Sequence, residues 1–366
     1  MILQLSEIIS ELEKLANPAL QESYDNSGLI IGNQAMKTSK AIVTLDVTEE
    51  VIDEAIREQA NFIIAHHPIV FGGIKRLTGN NYVERCVIKA IKNDIAIYAI
   101  HTNLDNVLIG TNSILAQKLG LKNTKSISPV KENLRKLVVF CPKNHADKVR
   151  SAIFEAGAGF IGNYDCCSFN IEGKGSFRAM ENANPFVGEI GKIHLEEEVR
   201  IETIYPVFIE NQIVSAMLKA HPYEEVAYDI YKLENTSDAM GAGIIGDLEV
   251  ETDELEFLKN LKEITKTGCI KHTDLRGKKI KKVAICGGSG AFLIKKARQL
   301  KADIYITGDI KYHEFFDAES KMIIADIGHY ESEFFIKELL ISYIKEKFPT
   351  FAVQNSEIRT NPINYL

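Results

Sequence analysis

The sequence predicts an α/β protein: a layered α/β domain with mostly parallel sheets, interrupted by a ferredoxin-like α+β insert. Short apolar runs of strand length alternate with helical patterns over the first 120 residues, and this alternation resumes near residue 240. Between these regions the order becomes strand, helix, strand, strand, helix, strand, which is that of a split-βαβ unit. The predicted domains are residues 1–127 and 237–366, the two halves of an outer domain, and residues 128–236, the insert.

Hydrophobic periodicity predicts the elements of the outer domain. We predict helices over 3–15, 48–59, 81–92 and 110–119, and strands at 29–32, 41–46, 61–65 and 95–100. In the second half we predict strands at 280–286, 302–307 and 321–326, and helices over 291–300 and 332–347. Residues 62–65 are all apolar, as expected of a strand buried on both faces.

The insert has a different pattern. Strands are predicted at 134–141, 199–205 and 226–233, and helices over 145–156 and 212–219. The glycine-rich segment 157–191 is predicted to form strands and hairpin turns.

Composition narrows the class of protein. The net charge of -7 argues against a protein that neutralises nucleic-acid phosphates. The six cysteines contain no CxxC pair and no disulfide framework, which indicates a reduced protein. No apolar stretch approaches the roughly 20 residues that span a bilayer, and no signal-peptide pattern begins the chain. We therefore expect a cytoplasmic protein without membrane contact.

Histidines follow the predicted strands of the outer domain. Of nine histidines, five come just after such strands: His66, His67, His101, His313 and His329. Ligands of open α/β sheets bind outside the carboxyl ends of strands, so these side chains are candidates for one site. Carboxylates lie in the same segments, namely Asp105, Asp309, Glu314 and Glu333. Imidazole and carboxylate without cysteine suit divalent Zn, Fe, Mn, Co or Ni. Solvated turn histidines are the alternative.

Two sequence spacings between histidine and carboxylate residues support the metal-site hypothesis. Asp105 follows His101 by four residues at a strand end, so its carboxylate can reach back over the same sheet edge. His329 and Glu333 are four residues apart at a helix start and share one helix face, whereas Glu331 faces elsewhere. Helix capping and the helix dipole would also favour a carboxylate at position 333.

Two further segments each allow a functional and a structural interpretation. Residues 286–290, Cys-Gly-Gly-Ser-Gly, resemble an anion cradle at a helix N-terminus, although tight strand-to-helix packing explains the glycines equally well. Residues 221–225, His-Pro-Tyr-Glu-Glu, are either a ligand cluster or a structural turn that packs Tyr223.

Ordered motifs run through the whole chain. They are residues 24–29, 45–48, 65–68, 101–105, 307–313 and 328–333 in the outer domain, and 162–166, 173–177 and 220–224 in the insert. Together they resemble the NIF3-like family, also called YbgI-like proteins or GTP cyclohydrolase 1 type 2 homologues. The resemblance is to the long bacterial form, which carries an inserted PII-like/CutA1-like domain.

The resemblance implies two divalent metal ions per subunit. The positions that match the metal ligands are His66, His67, Asp105, His329 and Glu333, with Asp105 or Glu333 as the bridge. His101 and His313 match motif positions outside the ligand set, and we interpret them as groups that orient ligands or substrate and shuttle protons. The resemblance also implies a homohexamer, a toroid built from trimers whose metal sites face the internal cavity.

Three functions are compatible with these residues. The leading hypothesis is a metal-dependent hydrolase, GTP cyclohydrolase-like by its family name, acting on a nucleotide or phosphoester. The alternative is a non-catalytic hexameric assembly that stores or delivers metal, or senses a small molecule through its PII-like insert. Nucleic-acid binding is the third, and the acidic balance disfavours it.

Overall fold

The computed structural model describes residues 1–366, and the chain forms two compact units. Unit 1 consists of Met1–Pro129 and Ala239–Leu366, and unit 2 of Val130–Asp238. None of the helices combines the length and the apolar character needed to cross a membrane.

The strands are β1 Leu3–Gln4, β2 Gly28–Ile31, β3 Lys37–Thr38, β4 Lys40–Thr44, β5 Phe62–Ala65, β6 Ala96–Ala99, β7 Lys122–Pro129, β8 Leu134–Pro142, β9 Ser168–Arg178, β10 Ile193–Pro206, β11 Tyr228–Lys232, β12 Gly241–Asp253, β13 Lys271–His272, β14 Lys279–Ser289, β15 Ile304–Gly308, β16 Ile323–Asp326 and β17 Ala352–Asn355. The α-helices are α1 Leu5–Leu15, α2 Glu49–Arg57, α3 Tyr82–Lys92, α4 Thr102–Asp105, α5 Thr111–Lys118, α6 Ala146–Glu155, α7 Glu210–Ala220, α8 Glu254–Thr265, α9 Ile294–Gln299, α10 His329–Glu333 and α11 Ile336–Lys347.

Unit 1 contains two large sheets. The first has the order β17-β4-β5-β6-β2, in which only β2 runs antiparallel to its neighbour. The second has the order β13-β16-β15-β14-β12-β7, with a parallel centre of β14, β15 and β16 and antiparallel strands on both sides. This mixed α/β arrangement confirms the predicted class of the outer region.

Strand β5 shows why its sequence is apolar throughout. Phe62 and Ile64 belong to the core cluster on one face of the first sheet, whereas Ile63 and Ala65 belong to the cluster on the other face. All four side chains are fully buried. Because no face of this strand meets solvent, its residues do not alternate between polar and apolar.

Unit 2 has one four-stranded antiparallel sheet of order β11-β8-β10-β9. Helices α6 and α7 cover one face of this sheet, and Val149, Ile153, Ile213 and Met217 are buried there. The prediction of several strands and hairpins over 157–191 is wrong in detail. Those residues contain the single long strand β9, which pairs with all but the last few residues of β10.

Other boundaries differ from the predictions for physical reasons. The predicted helix over 332–347 begins earlier, at His329, and is divided into α10 and α11. Strands β7 and β12 are absent from the predictions. The reason for β12 is its glycine-rich start, Gly-Ala-Gly-Ile-Ile-Gly, which has low intrinsic strand propensity. Pairing with β14 and β7 on its two sides makes it a strand nevertheless.

Removal of unit 2 tests whether unit 1 is an independent domain. Pro129 lies opposite Gly241 in the β7–β12 pair, so a short loop can close the gap left by deleting Val130–Asp238. We expect the shortened chain to keep a cooperative thermal transition and its strand and helix content by circular dichroism. An unfolded product would show that the core of unit 1 depends on unit 2.

Candidate metal centre

Five of the histidine and carboxylate side chains singled out in the sequence meet in unit 1. They are His66, His67, Asp105, His329 and Glu333. The first two follow β5, Asp105 ends the one-turn helix α4 after β6, and α10 follows β16. The carboxyl ends of parallel strands from both large sheets therefore supply the cluster, as expected for open α/β sheets.

The side chains form two groups that share Glu333. His66, Asp105 and Glu333 form one group, and His67, His329 and Glu333 form the other, with ligand atoms within 4.8 Å of one another in each. Glu333 Oε2 lies 3.0 Å from His67 Nε2 and 3.1 Å from His329 Nε2. Its Oε1 faces the other group, 3.9 Å from His66 Nε2. One carboxylate thus directs one oxygen toward each group.

Each imidazole of the two groups is oriented through its Nδ1. His66 Nδ1 donates to the carbonyl oxygen of Ile100 at 2.8 Å, and His67 Nδ1 donates to Asp46 Oδ1 at 2.7 Å. His329 Nδ1 donates to Asp309 Oδ2 at 2.6 Å. All three Nε2 atoms consequently face the cluster, which is the arrangement that protein partners impose on metal-binding histidines.

The buried Nε2 of His66 shows that the cluster fits a cation. This atom is fully buried and has no hydrogen-bond partner, and Asp105 Oδ1 lies 3.6 Å away. Since Nδ1 carries the proton, Nε2 presents a lone pair. Two nitrogen or oxygen ligands at about 2.1 Å from one tetrahedral ion lie roughly 3.4 Å apart. The distances within the cluster are of this size, so these groups could bind a metal ion.

The pKa values of Glu333 and Asp105 shift in opposite directions. Burial alone would raise the pKa of Glu333, but the charge of His329 and the hydrogen bonds from His329 and His67 hold it well below the usual value. Burial raises the pKa of Asp105 above its usual value; His66 opposes this rise and Glu333 reinforces it. Glu333 is therefore the permanent anion at the centre of the cluster.

Glycines make room for this carboxylate. Gly288 has φ +64, and a Cβ there would lie 2.4 Å from Glu333 Oε1. Gly328, with φ +95, forms the turn from β16 into α10, and a Cβ there would meet Glu331 Oε2. Any larger side chain at either position would both strain the backbone and displace an acidic side chain.

The glycine-rich segment 286–290 serves packing, and its three glycine amides are not free to bind an anion. The N–H groups of Gly287, Gly288 and Gly290 donate to the side chains of Asn112, Ser332 and Thr307 respectively. Since Ser332 lies in α10, this segment fixes the helix that carries Glu333. The phosphate-cradle interpretation is therefore not supported by the geometry.

His101 joins the cluster, whereas His313 and Glu331 lie outside it. The ring of His101 lies 5.2 Å from that of His66 and 5.3 Å from that of His67, and its Nδ1 donates to the buried Asp25 at 2.8 Å. His313 is exposed and contacts Tyr312 and Phe316. Glu331 accepts a hydrogen bond from Asn361 Nδ2.

In unit 2, the geometry favours the structural interpretation of residues 221–225. His221 Nε2 donates to the carbonyl oxygen of Phe140, and its Nδ1 accepts the N–H of Tyr223. Both ring nitrogens are thereby used, and the Tyr223 hydroxyl donates to Glu198. His221 is a turn residue with no lone pair free for a ligand.

Sequence reasoning missed the carboxylates that orient the histidines. Asp25 and Asp46 hold His101 and His67 by hydrogen bonds, and Thr360 Oγ1 donates to Asp46 Oδ2 at 2.6 Å. Asp309, which orients His329 and comes directly after β15, was among the carboxylates selected from the sequence. Asp46 lies two residues after β4, so the signal that selected the histidines was also present for it. Asp25 lies in a turn cluster far from any histidine in the sequence.

A large open cavity of about 1720 Å³ adjoins the cluster within unit 1. Its lining includes His67, His101, Asp105, His329 and Glu333. The two groups are thus accessible to a molecule larger than a metal ion.

The fold and the cluster define an α/β protein with a candidate His/carboxylate metal centre at the carboxyl ends of its strands. The family described as Duf34/NIF3 (NGG1p interacting factor 3) matches residues 3–362. The chain belongs to this family.

Relatives over the full length support this assignment. The "GTP cyclohydrolase 1 type 2 homolog" of Bacillus subtilis (strain 168) is 39% identical over 365 residues, 98% of each chain. That of Halalkalibacterium halodurans is 39% identical over 364 residues, also 98% of each. A solved Bacillus cereus protein related to NIF3 is 39% identical, with a TM-score of 0.88 over 100% of both chains. A Staphylococcus aureus structure is 29% identical, with a TM-score of 0.77 over 100% and 99%.

Glu333→Gln tests the shared ligand, and Glu331→Gln is its matched control. Both residues are buried in the same short helix, but only Glu333 faces the two groups. We expect Glu333→Gln to lose most of the bound metal, because a neutral amide cannot replace an anionic ligand shared by two groups. Elemental analysis per subunit should show wild-type content for Glu331→Gln. Equal losses in both variants would contradict the assignment.

Metal binding should release protons. Burial alone would lower the pKa of His67, but hydrogen bonds to Asp46 and Glu333 raise it to about 10. Burial likewise opposes the interactions with Glu333 and Asp309 that raise the pKa of His329 to about 9. These carboxylates thus favour the protonated form of each imidazole at neutral pH in the metal-free chain. This pairing stabilises the metal-free fold fully below pH 6.5, the ordinary pKa, and the stabilisation is lost as pH rises through about 9 to 10.

We therefore expect metal affinity to increase from pH 6 to pH 8, by about tenfold per pH unit for each proton displaced. Calorimetric titration in buffers of different ionisation enthalpy counts these protons. A pH-independent affinity would show that the two histidines are not ligands.

Proposed function

We propose that the chain is a metal-dependent hydrolase with two divalent ions per subunit, drawn from Zn, Fe, Mn, Co or Ni. The observation that carries this proposal is the position of Glu333, which directs one oxygen toward each of two His/carboxylate groups. His66, Asp105 and Glu333 would hold one ion, and His67, His329 and Glu333 the other. The Bacillus subtilis and Halalkalibacterium halodurans relatives are called GTP cyclohydrolase 1 type 2 homologues, a name that agrees with hydrolytic chemistry on a nucleotide. We propose a nucleotide or another phosphoester as the substrate.

When bound, such ions polarise the bond under attack and lower the pKa of a coordinated water toward neutrality. The protein side chains hold and orient the groups around these ions. Asp46 and Asp309 hold the rings of His67 and His329 in the orientation that points Nε2 inward. The β-strand ends bring these groups together without any rearrangement of the fold.

The surroundings of His101 support a role in proton transfer. Asp25 accepts the Nδ1 proton of His101, so Nε2 is the atom directed toward His66 and His67 and toward the cavity. An imidazole oriented by a buried carboxylate can accept a proton from water or donate one to a leaving group. Our proposal gives this role to His101 rather than to the exposed His313.

A non-catalytic function remains the second candidate. Unit 2 contains its own cavity of about 710 Å³, lined by aromatic side chains that include Phe140, Phe177, Phe186 and Tyr223. This volume suits a small molecule. We propose that unit 2 is the PII-like domain implied by the resemblance, since its chain order and strand order are those of a ferredoxin-like unit. A hexameric assembly could then store or deliver metal, or sense a ligand through unit 2.

His101→Gln and His313→Gln separate the two candidates for function. Metal-loaded protein is assayed for hydrolysis of GTP and of 4-nitrophenyl phosphate, and native mass spectrometry gives the number of subunits. We expect His101→Gln to keep the fold and the metal but to lose about 10²-fold or more in kcat, whereas His313→Gln retains wild-type turnover. If wild-type protein turns over neither compound, the non-catalytic function is favoured. If His313→Gln alone is impaired, the proton-transfer role belongs to His313.

A further inference from the structure

Residues 71–77, Phe-Gly-Gly-Ile-Lys-Arg-Leu, form a loop on the wall of the cavity beside the metal centre. We call them the cationic loop. They follow the histidine pair by three residues, and every one of them is exposed. Residues 71–76 line the same cavity as His67, His101 and Glu333. The loop therefore faces whatever molecule occupies that cavity.

The loop is anchored at both ends and unattached in the middle. On one side, Asn26 Nδ2 donates to the carbonyl oxygen of Val70 at 2.6 Å. On the other side, Glu84 Oε2 accepts the backbone N–H of Thr78 at 2.8 Å and its hydroxyl at 2.9 Å. No hydrogen bond or ion pair joins residues 71–77 to the rest of the chain. Phe71 alone makes a defined contact, edge-to-face with the ring of His101 at 5.5 Å.

Gly72 and Gly73 make the backbone of the loop flexible, although the fold does not need glycine at either position. Neither has a positive φ, and a Cβ at either position would meet nothing within 4 Å. Neither steric crowding nor a left-handed turn therefore explains these residues. Their effect is to leave the backbone between Phe71 and Ile74 easy to reshape.

Lys75 and Arg76 are the only lysine and arginine side chains that line the cavity, and neither has an acidic partner. Apart from the histidines of the metal centre, the other ionisable side chains of the lining are mainly acidic, including Asp46, Asp105 and Glu333. The three glycine amides of the 286–290 segment donate to side chains, so they do not provide an anion site. Among the lysine and arginine side chains, only those of the cationic loop can therefore pair with an anionic group that lies in the cavity away from the metal centre.

Apolar side chains lie on both sides of these two cations in the loop. Phe71 is 52% exposed, Ile74 39% and Leu77 48%. A ligand that carried only phosphate would leave this surface in water. A ligand with both an anionic group and a flat organic portion would use both kinds of side chain.

We propose that the cationic loop binds the substrate, and that the substrate is a phosphate-bearing molecule with an aromatic or other flat organic group. Lys75 and Arg76 pair with a phosphate that lies away from the reacting bond. Phe71 and Ile74 pack against the organic portion. This inference rests on the proposed function for the identity of the ligand as a substrate, whereas the binding itself depends on the loop alone.

Phenylphosphonate, an aromatic dianion that resists hydrolysis, is a suitable probe, and calorimetry on the full chain measures its Kd. We expect Lys75→Ala/Arg76→Ala to weaken binding by about tenfold or more, since two charge-assisted contacts are lost. Phe71→Ala should weaken phenylphosphonate and leave methylphosphonate unchanged. The matched control is Lys259→Ala/Lys262→Ala, which removes two exposed lysines from α8, outside the cavity.

Titrations of metal-loaded and of EDTA-treated protein distinguish the failure of this inference from the failure of the proposed function. Loss of affinity in the loop variant under both conditions supports the cationic loop even if no hydrolysis is found. Three results would overturn it: no measurable binding to wild-type protein, unchanged affinity in the loop variant, or an equal loss in the α8 control. Elemental analysis should show the same metal content in all variants.

Discussion

The structure of the site depends on a buried carboxylate that has to be neutralised. Glu333 is 3% exposed, and an isolated carboxylate in such surroundings would be strongly destabilising. Its partners come from two different sheets, with His67 after β5 and His329 one helical turn away in α10. The pairing therefore holds the carboxyl edges of the two sheets at a fixed distance. The loops that line the cavity are arranged around this pairing.

Much of the site could be predicted because its signals are local. An apolar run followed directly by His66 and His67 marks both a buried strand and its end, and the spacing of His329 and Glu333 places two candidate ligands on one helix face. Parallel strands bring such ends together, so the convergence of the cluster follows from the fold class. The family resemblance added the ligand set and the expectation of two ions.

The remaining features depend on tertiary contacts that the sequence does not display. Nothing near Asp25 indicates that it accepts a proton from His101, a residue 76 positions later. The same holds for β12, whose glycine-rich start becomes a strand only through its neighbours on both sides. The function of the 286–290 glycines was likewise open in the sequence. It became clear only when Asn112, Ser332 and Thr307 were found on their amides.

The division of unit 1 between two distant stretches of chain has a consequence for biosynthesis. His66, His67 and Asp105 precede unit 2 in the chain, and His329 and Glu333 follow it. A ribosome that has completed unit 2 has still not produced the carboxylate that both groups share. The half-site formed by the first stretch lacks its central anion, so the nascent protein cannot present the complete ligand set to cellular metal until nearly the whole polypeptide has emerged. The complete set of candidate ligands thus exists only when nearly all of unit 1 is available to fold.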